Sequence, residues 1–118
     1  MRRLISIAAA GAALVVSPAQ AGDPPGAAVY VFCTADYEID GRRSAMVSDV
    51  GKIPAAEFDE SRVETGWKAF LSANHDISGA SRCHTADNEP DLREQMKALA
   101  RANDMSGVTT TMDSYPPH

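Results

Sequence analysis

The sequence predicts a small α+β domain built as a two-layer sandwich. Its order is ββαβαβ: a four-stranded mixed sheet, two helices on one face, and one disulfide. Three observations carry this expectation. The stretch AVYVFCTADY, residues 28–37, is rich in valine and aromatic residues, and Asp40-Gly41, the dipeptide of a tight hairpin, follows it. Two later segments repeat apolar residues at i, i+4, i+7 and i+8, the spacing of a helix with one buried side. The chain also contains two cysteines, Cys33 and Cys83, an even number in a sequence that begins like an exported one.

The opening residues read as an export signal. Arg2 and Arg3 form a short basic start, LISIAAAGAALVV is an apolar run, and Ala19-Gln20-Ala21 supplies a small-x-small cleavage site. The run is shorter than the roughly 20 apolar residues needed to span a bilayer, so no integral membrane association is expected. The domain plan is a signal peptide over 1–21, a flexible leader over 22–28, one domain over 29–115 and a loose tail over 116–118.

Cleavage after Ala21 removes Arg2 and Arg3. Nine basic side chains then face sixteen acidic ones, a net charge of −7. A surface this acidic offers no electrostatic footprint for nucleic acid or anionic lipid, and its simplest consequence is solubility.

In the first strand Val29, Val31 and Cys33 share one face, and Tyr30, Phe32 and Thr34 share the other. SAMVSDV, residues 44–50, is the return strand of the hairpin. The first helix falls within residues 54–74, where Val63, Trp67, Phe70 and Leu71 form the stripe. Its start has two readings: a capping box from Ser61 to Glu64, or an earlier first turn at Pro54. Gly66 lies within it and suggests close packing beside Trp67. GASRCHT, residues 79–85, reads as the third strand. The second helix spans 88–104, capped by Asn88 or Asp87, with Pro90 in its first turn and Leu92, Met96, Leu99 and Ala100 as its stripe. Gly107 ends it, and VTTTMDSY, residues 108–115, is the last β-prone stretch. The hairpin sets the first two strands antiparallel and each helical crossover favours parallel strands. The third strand then runs antiparallel to the first, which can bring Cys33 beside Cys83.

The dipeptide Cys83-His84 raises a choice between chemistry and scaffold. On a strand, neighbouring side chains point to opposite faces, so a thiol and imidazole at adjacent positions diverge. A cysteine nucleophile needs a base within hydrogen-bond reach, drawn from elsewhere in the chain. No C-x-x-C pair occurs, and an oxidising compartment favours pairing, so a Cys33–Cys83 disulfide is the expectation. A free thiol and a metal ligand are the alternatives.

Other patterns fall short of a site. DYEIDG, Asp36 to Gly41, imitates the start of a calcium loop, but Glu38 stands where Asp or Asn belongs and Val47 where a bidentate glutamate is required. It reads instead as an acidic strand end entering a turn. No G-x-S-x-G, S-x-x-K or H-E-x-x-H motif occurs, and Ser48-Asp49 reads as polarity on a strand surface. No catalytic, cofactor-binding or metal-binding residue is assigned.

A cysteine on the first strand, then SDVGKIP, a helix with WKAFL, SRCHTA and a second helix resembles a group of short exported proteobacterial proteins of unknown function. MVSDVGKIP departs from that group, whose return strand often carries a Tyr-Tyr-Ser-x-Val-Phe-like sequence. The resemblance implies a scaffold and no activity. The expectation is a periplasmic or secreted, non-catalytic binding module whose partner is an envelope or secreted protein, without cofactor. One alternative is an inhibitor of a secreted protease or lysozyme, presenting loop 38–43 or 103–108. A small enzyme or thiol-active protein is the other.

Overall fold

A computed structural model describes residues 26–118. The expected signal peptide and most of the expected leader lie outside the described residues. The strands are β1 (Ala28–Ile39), β2 (Arg42–Val47), β3 (Gly51–Pro54), β4 (Ser81–Ala86) and β5 (Thr109–Met112). Two helices, α1 (Glu60–His75) and α2 (Glu89–Met105), flank β4 in the chain, and a 3₁₀ turn (Ala55–Glu57) precedes α1. The fold is α+β with a mixed sheet.

The sheet has five strands where the sequence suggests four, because the return strand of the hairpin is broken. β2 pairs antiparallel with β1 as far as Thr34↔Val47, and pairing resumes in β3 at Val31↔Gly51. Between these points Phe32 and Cys33 face Ser48, Asp49 and Val50, so the second arm carries one extra residue, a β-bulge. The backbone N–H groups of Ser48, Asp49 and Val50 are all engaged. The Ser48 backbone N–H donates to the Cys33 carbonyl (2.9 Å), and the Cys33 N–H donates to Ser48 Oγ (2.8 Å). Ser48 Oγ in turn donates to the Asp49 carbonyl (2.9 Å), and the Val50 N–H donates to Asp49 Oδ1 (2.7 Å). Ser48 is therefore a fully buried structural residue and not the surface polarity that its sequence context suggests.

β1 is the central strand. β2 and β3 lie end to end along one of its edges, β4 runs antiparallel along the other, and β5 lies parallel beside β2. At the hairpin, Asp40 (φ 52°) and Gly41 (φ 77°) both adopt the left-handed conformation that a two-residue turn of this kind requires.

The helices occupy opposite faces, which corrects the expectation of a two-layer sandwich. Val31, Cys33 and Ala35 of β1 pack against Val63, Trp67 and Leu71 of α1. Phe32 packs with Val47 against Leu92 of α2, flanked by Met96 and Leu99. Topology supplies the reason. The crossover through α1 carries the chain from β3 over β1 to β4, and the one through α2 carries it back over β1 and β2 to β5. Right-handed crossovers travelling in opposite directions must use opposite faces.

Asp59, not Ser61, caps α1, with its carboxylate accepting from the Arg62 N–H, and Pro54 leads into the separate 3₁₀ turn before it. Asn88 caps α2 in the same way, with Pro90 in the first turn. The C-terminal residues are packed and do not trail away as a loose end. The Asp113 N–H donates to the Val47 carbonyl (2.8 Å), and the Asp49 N–H donates to the Tyr115 carbonyl (3.0 Å). Tyr115 stacks on Phe70 at 4.2 Å, and Pro117 is fully buried against Gly51, where any Cβ would collide with the Pro117 backbone.

Candidate interaction surface

Cys33 and Cys83 form a disulfide, and they are register partners across β1 and β4 with Cα atoms 4.0 Å apart. The geometry follows from alternation along β1. In an antiparallel ladder a residue's N–H and C=O point to the same edge, and both of these groups in Cys33 point to Ser48. Toward β4, Cys33 therefore occupies a non-hydrogen-bonded position, the kind at which opposite Cα atoms approach most closely.

Cys83 and His84 diverge, as strand alternation requires. Cys83 enters the α1-side core, whereas His84 stacks on Phe32 on the α2 side, with ring centroids 4.8 Å apart. Burial lowers the His84 pKa from its ordinary 6.5, and neighbouring Arg82 lowers it further. Both cysteines of the chain are in the bridge, so a thiol mechanism has no nucleophile in this structure. Asp36–Ile39 is strand and Asp40-Gly41 is turn, so the calcium-like sequence forms a hairpin end. Among the described residues no group of three or more His, Cys, Asp or Glu side chains is placed to hold a metal ion. No helix there is long and apolar enough to cross a membrane.

The most featured surface is the end of the molecule that carries the β1–β2 hairpin. Residues 38–43 are all exposed, and Ile39 keeps 54% of its surface in water. Segment 103–108, which is the end of α2 and the turn after it, lies at the same end, because Ser44 pairs with Thr109, and its Met105 is 88% exposed. Both loops singled out from the sequence thus meet at one pole.

Two clefts flank the hairpin. On the α2 side, a cleft of about 500 Å³ is lined by Thr34, Asp36, Arg43, Arg82, His84 and Asn103, among others. It exists because the α2 face of β1 turns polar after Phe32: Thr34, Asp36 and Glu38 give the end of α2 nothing apolar to cover. No salt bridge joins Asp36, Glu38, Arg43 and Arg82 among the described residues. The second cleft, about 440 Å³, lies on the α1 side between Tyr37, Met46 and the 75–79 turn. Beside it His75 Nε2 lies 2.8 Å from Asp113 Oδ2, tying α1 to the C-terminal segment. The clefts are not legible in the sequence because their walls come from β1, β2, β4 and α2 in the first and from β1, β2 and the end of α1 in the second, which only the topology assembles.

Comparison with protein-family models, with curated proteins and with solved structures returned no match.

Proposed function

We propose that this protein is exported, oxidised outside the cytosol, and acts as a non-catalytic binding module of the bacterial envelope. Its partner is an envelope or secreted protein, and its contact surface is the hairpin pole. The observation that carries the reading is that this one end holds two exposed apolar side chains, Ile39 on the hairpin and Met105 at the end of α2, and a cleft whose charged groups form no salt bridge with one another among the described residues. Exposed apolar groups rimmed by polar ones mark contact surfaces. The disulfide between the two strands behind this pole supports export, because such bonds persist in oxidising compartments.

The test is cross-linking in the envelope, followed by purification of the oxidised protein and of an Ile39→Asp variant. A stoichiometric partner that the variant loses supports the reading. A protein that elutes alone in both forms rejects it.

A second reading is inhibition of a secreted hydrolase, favoured by the narrow projecting turn with Ile39 at its tip. A rigid loop loses little entropy on entering an active-site cleft. Micromolar inhibition of a protease or lysozyme, abolished by Ile39→Asp, would select it over the first.

A further inference from the structure

We propose that the outer edge of β4 binds an extended peptide segment of another protein, added as a further strand, with an acidic side chain of that segment set over Arg82. The inference rests on the reading of the protein as a binding module and identifies how its partner docks.

The hydrogen-bonding direction along β4 is fixed by two observations. Cys33 directs its N–H and C=O toward Ser48, so the Cys33–Cys83 position exchanges no hydrogen bonds across β1 and β4. The Asp36 N–H instead donates to the Ala80 carbonyl at 2.8 Å, so the even positions of β1 bond toward β4. Alternation then gives Arg82 and His84 to the inner ladder and turns the N–H and C=O of Ser81, Cys83 and Thr85 outward. Among the described residues β4 pairs with no strand other than β1, so these six groups form an open row of donors and acceptors. β5, at the opposite edge, has four residues against six in β4. The longer open edge is therefore β4.

The α2-side cleft begins beside that edge, lined by Ser81, Arg82 and His84. A strand laid along β4 places alternate side chains on the α2 face, where Arg82 is exposed and has no salt-bridge partner among the described residues. Asp36 stands on the diagonal from Arg82, and β4 itself contains no acidic residue. The chain's acidic surplus elsewhere is screened within about 8 Å at physiological ionic strength, so the local arginine decides the preference. A second copy of this chain fits less well. In the antiparallel register centred on Cys83, it would set Arg82 against the other copy's His84 and bring two acidic proteins together.

The test uses the oxidised protein and the blocked peptide acetyl-Thr-Glu-Val-Glu-Val-Thr-amide, followed by amide NMR and hydrogen exchange. The expected result is protection and shift of the Ser81, Cys83 and Thr85 amides. Lysine in place of both glutamates weakens binding, and N-methylation at alternate peptide positions abolishes it. Thr85→Pro removes an outward N–H while sparing the inner ladder, and lowers affinity at least about fivefold relative to Thr85→Ala. Arg82→Ala lowers it about two- to fivefold, and Arg82→Glu reverses the preference toward the lysine peptide.

No shift at these amides at millimolar peptide overturns the inference. So does concentration-dependent protection of the same amides without peptide, which would make a second copy the occupant. An envelope partner lost by Ile39→Asp yet retained by folded Thr85→Pro would reject this inference alone and leave the binding-module reading standing.

Discussion

Opening the Cys33–Cys83 bridge gives a loss of stability that can be worked out in advance. The bond closes a loop with a sequence separation of 50 residues. Chain entropy assigns such a loop about 4 kcal/mol of denatured-state destabilisation. The native state has no obvious compensation: the six-pair β1–β4 ladder is already in register, and Cys33 is fully buried. A domain of this size commonly has about 5–15 kcal/mol in total, so the reduced protein stands near the margin of folding. The assay is urea denaturation of the oxidised protein, the reduced protein and a Cys33→Ala/Cys83→Ala variant. The reduced form keeps both sulfur atoms in the core, which separates the covalent constraint from side-chain packing. Expected is a loss of about 4 kcal/mol, a fall in melting temperature of roughly 20 °C, with the reduced and double-alanine forms close together. Oxidised and reduced forms within about 1 kcal/mol of each other would refute the reasoning, since the sheet would then hold itself without the bond.

Three further outcomes follow from individual contacts. Ser48→Ala strips the buried Cys33 N–H of its acceptor and costs about 1–3 kcal/mol, read from the same urea transitions. Gly51→Ala drives the Pro117 backbone away from β3, so the Asp49 amide, bonded to the Tyr115 carbonyl, loses its exchange protection. Deleting residues 116–118 from the Gly51→Ala variant then adds little further loss of stability, whereas the same deletion in the parent protein is costly. For His84 the folded pKa lies below the unfolded 6.5 because of burial first and Arg82 second. As pH falls through the window beneath 6.5, the unfolded chain takes up a proton that the folded one refuses, and stability declines. His84→Gln flattens that part of the pH–stability curve, and an NMR titration of His84 in the Arg82→Ala variant moves its pKa partway back up.

The parts of the fold that the sequence reveals are those specified locally. Asp40-Gly41 dictates its own turn, Asn88 and Pro90 mark the start of α2, and the alternation through Val31, Phe32 and Cys33 sorts β1 into two faces. The stripe of Val63, Trp67 and Leu71 is buried as its spacing requires, with Phe70 half-buried beside Tyr115. Three features depend on distant partners. The bulge is hidden because Ser48-Asp49-Val50 continues an ordinary strand pattern, and only the Cys33 N–H shows why a hydroxyl stands there. The side of the sheet taken by each helix depends on the spatial order of strands, which local periodicity does not encode. The packed terminus looks like a breaker-rich tail, because the groove that receives Pro117 is opened by Gly51, far away in sequence. The same division holds at the candidate surface. Loops 38–43 and 103–108 are visible as turns, whereas the cleft between them and the open edge of β4 exist only once β4 lies beside β1.

Export of the chain from the cytosol and its closure by one bond are tested most directly by the intact mass of the protein recovered from the envelope of its own cells. The predicted mass is that of residues 22–118 less two hydrogens, unchanged by thiol-alkylating reagents until a reductant is added. A mass that includes residues 1–21, with two alkylatable thiols in the unfolded chain, would contradict it.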